Sequence, residues 1–253
     1  MRIKIKHFVI FLFLMSIFAC KKTSKTLTRL EVKEIAISEK LTENDSILNF
    51  IKPYKDHLNS TLDEPLAYSP KTLSKSDGQL NTPIGNLMAD IVMEMSNPIF
   101  HSRTGKNIDF VLLNHGGIRS IISKGNVTTR TAYQVMPFEN KIVVVEITAA
   151  KVKELLDYLA NKQRAHPVSN IQIILNNDNT LKSVFIEGKP LDENKTYFVA
   201  TSDYLANLGD NMFFFKDPVS LLDTDYLIRN EMIDYFKKVD TIAPVIDDRF
   251  IKI

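Results

Sequence analysis

A single cysteine, Cys20, excludes an internal disulfide, and with only five histidines in 253 residues it leaves few ligands for a metal cluster. Charge of one sign is also missing. Lys and Arg number 32 against 30 Asp and Glu, a net +2, so the basic face that nucleic acid demands has no compositional support. Repeats and low-complexity tracts are absent, and eight glycines are far too few for a collagen-like chain. Long hydrophobic runs are lacking as well. The best, Phe8 to Phe18, has about eleven residues against the ~17 that a spanning helix needs. What remains is an ordinary globular composition, 44% hydrophobic and 25% charged, of a length suited to one domain with or without an appendage.

That short apolar run follows Arg2, Lys4 and Lys6 and ends in Ile17-Phe18-Ala19-Cys20, with Lys21-Lys22 next. A positive start, a short hydrophobic stretch and a small residue before the cysteine predict a bacterial export signal over 1–19. Cys20 is then the lipidated residue of a lipoprotein, and Phe18 is bulkier than the usual residue at its position. The competing reading is a buried Cys on a short apolar helix. Lipidation would hold the chain to a membrane of the bacterial cell envelope, on a periplasmic or surface face. Losing the leader with its three basic residues leaves 29 basic against 30 acidic residues, a nearly neutral mature chain. Residues 20–42 are polar and read as a lipid-anchored tether, with a strand at 31–38, and residues 43–253 as the folded domain.

Within that domain Asn44-Asp45-Ser46 predicts a short capped helix through Tyr54 that Pro53 interrupts or bends. Pro65 and Pro70 mark a loop-rich passage. Thr82-Pro83 is an N-cap followed by proline at the first helical position, and Ile84, Leu87, Met88, Ile91, Val92 and Met95 share one helical face. Strands are expected at 109–113, 141–148 and 195–201, a hairpin at 171–175 and 181–186, helices at 149–159 and 224–239, and a closing strand at 250–253. Strands and helices intermix without regular alternation, so the predicted class is α+β, mixed sheets with packed helices.

Four loop segments carry residues that a fold alone does not require. Asn114-His115-Gly116-Gly117-Ile118-Arg119-Ser120 follows a strand, and its glycines allow a sharp turn and close approach to a ligand. Arg119 offers a planar fork suited to phosphate. Met136-Pro137-Phe138-Glu139-Asn140 places an aromatic and an amide before a strand. Thr201-Ser202-Asp203-Tyr204-Leu205-Ala206-Asn207 and Leu208-Gly209-Asp210-Asn211 follow one another. The bland alternatives are core aromatics for Phe138 and Tyr204, turn chemistry for Asn114, Gly116-Gly117 and Asp210-Asn211, and a surface ion pair for Arg119.

In this order, from about Thr82 to the end, the segments resemble the C-terminal, substrate-binding domain of the 5′-nucleotidase / UDP-sugar hydrolase family. The resemblance implies that Phe138 and Tyr204 sandwich a nucleobase, Arg119 holds a substrate phosphate, Asn114 lies near base and sugar, Asn140 contacts the base and Asp210 accepts from the ribose hydroxyls. It also implies a separate domain with two divalent metal ions for phosphate ester hydrolysis. Here His57, His101, His115 and His166 show no Asp-x-His or His-x-His spacing, no catalytic residue or metal ligand is assigned, and neither a Gly-x-Ser-x-Gly elbow nor a cysteine nucleophile is found. The stretch before the helix, Asp77 to Thr82, lacks the arginines usual in the family, and the glycine expected near Ser169-Asn170 is missing.

The expected function is therefore recognition of a nucleotide or nucleoside, in a chain that needs a separate metallophosphoesterase subunit for hydrolysis in nucleotide catabolism. The two metals are expected only in that partner, with no cofactor in this chain. Nucleic acid is not an expected partner; the membrane is, through the lipid anchor. The alternatives are a surface lipoprotein that captures nucleosides or small aromatic solutes without enzymatic role, and a structural envelope protein with a relic pocket.

Overall fold

The computed structural model describes residues 5–17, 27–38 and 41–253, in two units, one through Phe50 and one from Ile51. In the first, α1 (Ile5–Ile17) covers most of the predicted leader. The strand expected at 31–38 does not form. Val32, Ile35 and Ile37 are exposed there, and an extended segment without a paired neighbour has no ladder to join. Cys20 lies outside the described residues. No described helix is long and apolar enough to cross a membrane. Helix α2 (Asp45–Leu62) leads into the second unit and continues through Pro53 rather than stopping there. The bond lost at Pro53 falls on an exposed helix, where water can take up the freed carbonyl.

The second unit runs β1 (Pro65–Ser69), α3 (Pro83–Thr104), β2 (Phe110–Leu112), β3 (Gly125–Thr128), α4 (Thr129–Val135), β4 (Lys141–Thr148) and α5 (Ala149–Lys162). It continues through β5 (Val168–Ser169), β6 (Ile171–Leu175), β7 (Leu181–Ile186), β8 (Lys189–Pro190) and β9 (Thr196–Ser202). It closes with α6 (Asp203–Ala206), β10 (Ser220–Leu227), α7 (Ile228–Lys238) and β11 (Phe250–Lys252). This is the expected mixture of α and β. The sheets have the orders β1-β3, β10-β4-β9-β2-β5 and β11-β6-β7-β8. The expected hairpin forms between β6 and β7, and β11 closes its sheet parallel to β6.

Helix α3 begins as its residues dictate. The Thr82 side chain accepts from the Gly85 N–H at 3.2 Å, Pro83 takes the first position, and Gly105 ends the helix at φ 71°. The apolar run of β4 faces both ways: Ile142 and Val144 enter a core with α3 and α7, while Val143, Val145 and Ile147 enter a second core with α5. A sheet covered on both faces needs such an uninterrupted apolar strand.

Two further expectations require correction. The passage marked by Pro65 contains β1, antiparallel to β3, with Pro65 at its first position where a missing N–H is tolerated. The last helix begins at Ile228 and not at Thr224. Residues 220–223 pair with β4, Thr224 donates to the Ile142 carbonyl at 2.7 Å, and the register breaks between Asp223 and Leu227, where Asp225 has φ 59°.

The central sheet decides where the loops meet. β2 and β9 are parallel, so their C-terminal ends share one edge. β4 is antiparallel to β9, with Ile142 opposite Ser202, which brings its N-terminal end to that same edge. The segments after β2, before β4 and after β9 are the loops singled out above.

Candidate functional site

After β2 the chain makes a tight turn over His115–Gly117. A Cβ on Gly117 would stand 2.8 Å from Asn114 Oδ1, so glycine is required for the amide to fold over the turn. Asn114 Nδ2 donates to Asp210 Oδ2 at 2.8 Å, tying the first loop to the last. Arg119 lies at the rim with its guanidinium carbon 5.7 Å from the centre of the Phe138 ring, a cation–π placement, and donates to the Gly116 carbonyl at 3.4 Å.

The segment after β9 starts with Ser202 as N-cap of α6, accepting from the Leu205 N–H at 3.2 Å. Tyr204 donates its hydroxyl to Asp210 Oδ1 at 3.0 Å and accepts the Asp210 N–H at 3.2 Å. Its ring lies so close over Gly209 that a Cβ there would come within 2.5 Å. Leu208, Asp210 and Asn211 all have positive φ, 68°, 52° and 61°. Three such residues in four positions store backbone strain, which persists only where the surroundings enforce it. Tyr158 on α5 adds a hydrogen bond from its hydroxyl to the Asp210 carbonyl at 3.0 Å.

Asn114, Arg119, Phe138, Asn140, Tyr204 and Asp210 line one cleft of about 370 Å³ together with Gly116, Gly117 and Met136. All six positions named from the sequence are thus brought together. Phe138 and Tyr204 are 41% and 46% exposed, so neither is a core aromatic, and Arg119 makes no ion pair among the described residues. A roomy site lined by two aromatic side chains, with one guanidinium and one carboxylate, can hold a flat ring and steer a polar tail.

Sequence reasoning missed the supports. Arg229 at the start of α7 is buried and sits 4.2 Å from the Tyr133 ring centre. It donates to the carbonyls of Pro137 and Phe138 at 3.4 and 3.3 Å and to Glu139 at 2.5 Å, while the Ile228 N–H donates to the Asn140 carbonyl at 3.0 Å. Lys75, just before the stretch read as lacking basic residues, donates to the Ile118 carbonyl at 2.9 Å. Asn170 has φ 61°, the left-handed conformation that a glycine would supply, and steadies it by donating to the Asp109 carbonyl at 2.7 Å. No local signal marks Arg229 or Lys75, since both act across long sequence separations.

His115 is held by backbone contacts. Its Nδ1 lies 3.3 Å from the Ala165 carbonyl and its backbone N–H points to His166 Nδ1 at 3.4 Å. Burial, with Lys75 and Arg164 nearby, lowers the pKa of His115. Burial pushes His166 down to about 4, and Tyr158 is raised chiefly by burial. Among the described residues no three His, Cys, Asp or Glu side chains gather to hold a metal ion.

Residues 61–217 match the family model described as 5′-nucleotidase, C-terminal domain. Protein UshA of Yersinia enterocolitica is 24% identical over 213 residues, covering 81% of this chain and 37% of that protein. The 5′-nucleotidase of Vibrio vulnificus is 29% identical over 192 residues, 70% of this chain and 32% of that one. The crystal structure of a 5′-nucleotidase precursor from Thermus thermophilus superposes with a TM-score of 0.68 at 21% identity, covering 82% of this chain and 42% of that chain, a likeness of fold. The chain spans well under half the length of each.

Proposed function

This chain belongs to the 5′-nucleotidase C-terminal domain family, and from that premise and the cleft we propose that it recognises a nucleotide or nucleoside for a metallophosphoesterase carried on a separate chain. One observation carries the reading: the six residues that the family resemblance singles out, from three distant segments, line a single cleft. In the proposed pose Phe138 and Tyr204 take the two faces of the base and Asn140 its edge. Arg119 meets the phosphate with a charge-assisted fork. Asp210, its oxygens already held by Asn114 and Tyr204, accepts from the vicinal hydroxyls of the ribose, as an ionised carboxylate can. The two divalent metals belong to the partner, and no step of hydrolysis is assigned to this chain. The lipid on Cys20 keeps recognition domain and partner at the cell envelope.

The test is titration calorimetry of the full chain with adenosine, AMP and a nucleotide-sugar. Replacing Phe138 or Tyr204 by Ala removes one stacking face, worth about 1–3 kcal/mol, and weakens binding by roughly 5- to 150-fold, with melting unchanged in the variant at the exposed Phe138. Equal binding by both variants and the parent sinks the reading.

A second reading has its own support. Among the described residues Arg119 is the only basic side chain lining the cleft, a thin grip for a phosphate dianion, and this favours a surface lipoprotein that captures nucleosides. Adenosine binding as tightly as AMP marks that case.

A further inference from the structure

Beside the cleft lies a second cavity of about 340 Å³, and Gly116 and Asp210 belong to the walls of both. Its remaining wall is mostly cationic or imidazole in character: Lys162 at the end of α5, Arg164 just beyond it, His115 and His166, with Tyr158 and Asn211. Among the described residues neither Lys162 nor Arg164 forms an ion pair. Lys162 closes α5, where a cation suits the helix's own carbonyls, and lies 5.5 Å from the Tyr158 ring centre. That ordinary role, and the contact of His115 to the Ala165 carbonyl, leave Arg164 and the buried edge of His166 without an explanation.

His166 points to a ligand. It is 4% exposed, and its Nδ1 faces the His115 backbone N–H at 3.4 Å. Its Nε2 is buried and has no hydrogen-bond partner among the described residues. A buried polar atom left unmet is costly, and with Lys162 and Arg164 lining the same cavity the group that answers all three is an anion.

We propose that this cavity is a second anion subsite, taking a phosphate borne on the 2′ or 3′ oxygen of the ribose while the base occupies the cleft. This rests on the reading of the cleft given above. In that pose Asp210 faces the sugar diol, and the cavity opens from the same carboxylate, so a group on that edge of the sugar enters it, whereas a 5′ group runs toward Arg119. The Asp210 charge opposes an anion. Its two oxygens already accept from Asn114 and Tyr204, and two permanent cations stand on the far wall against that one carboxylate. The arrangement gives the 2′/3′ edge two cations where the 5′ end has one, so the chain prefers nucleosides phosphorylated on the ribose edge.

Calorimetry at low salt, where such contacts are strongest, compares adenosine, 5′-AMP and 3′-AMP on the full chain and on Arg164→Ala, Lys162→Ala and the double variant. The expected result is that 3′-AMP binds at least about tenfold more tightly than adenosine, and that the double variant erases this increment. A 3′-AMP no tighter than adenosine, or an increment that survives the double substitution, overturns the proposal. If no nucleoside binds at all, the base-clamp reading falls, and inorganic phosphate followed by imidazole NMR decides the subsite alone. Phosphate-dependent shifts of His166 and His115 in the parent chain that vanish in Arg164→Ala support it, and unmoved imidazoles overturn it.

Discussion

Arg229 shows how a buried charge can serve a surface aromatic. Its guanidinium meets two loop carbonyls, a carboxylate and a tyrosine face, so the loop bearing Phe138 is held from beneath by a rigid planar fork. Lysine keeps the charge and loses the fork. Arg229→Lys is expected to weaken nucleoside binding about tenfold and to speed amide exchange over 137–140, with the α3 and β4 amides unchanged. Exchange that stays slow in that loop argues against the role. His166 gives a pH prediction. Burial holds the native imidazole at about 4 against ~6.5 unfolded, so between these values the unfolded chain binds more protons and stability falls as pH drops from 6.5 to 4. The full effect is on the order of 3 kcal/mol. Glu231, buried against Ser96 with its carboxyl raised by burial, works in the opposite sense, so the comparison is between parent and His166→Asn. Urea denaturation across that window should show a shallower acid loss in the variant, and identical slopes would remove His166 from the account.

The turn at 208–211 joins the elements of the site. It follows α6, reaches back to Asn114 on the loop after β2, and is pinned by Tyr158 from α5. Gly209 is the position where its packing admits no side chain, because the Tyr204 ring and carbonyl fill that space. Gly209→Ala should displace the ring, reduce nucleoside binding at least about tenfold and cost on the order of 1–3 kcal/mol of stability, as overpacking does. Calorimetry and thermal melting on the same sample check both, and undiminished binding contradicts the packing. Much at this level is legible along the chain. Thr82-Pro83, the apolar run of β4 and the β6–β7 hairpin all carry their signals within a few residues. The start of α7 is not, because Thr224–Leu227 could extend either a helix or a strand, and pairing with β4 chooses the strand.

For the molecule as a whole, the match is to the 5′-nucleotidase C-terminal domain, and the proposed division between recognition here and hydrolysis on a partner makes two predictions. Purified chain with added divalent metal should release no phosphate from AMP, as followed by a colorimetric phosphate assay, and robust turnover would refute the division. Cys20→Ser should move the protein from the membrane fraction to the soluble one, read by fractionation of expressing cells, and unchanged membrane association would dismiss the anchor.

The primary sequence alone determined the class of fold, the helix caps, the principal strands and the six side chains of the cleft, because each depends on short-range periodicity or on a motif whose order is preserved. Only the folded chain decided that Phe138 and Tyr204 stand exposed at one sheet edge, that Arg229 and Lys75 buttress their loops, and that a cationic cavity adjoins Asp210. Those outcomes depend on the strand order β10-β4-β9-β2-β5. Strand order is set by which apolar faces two cores can bury together, and no local stretch of residues contains that information.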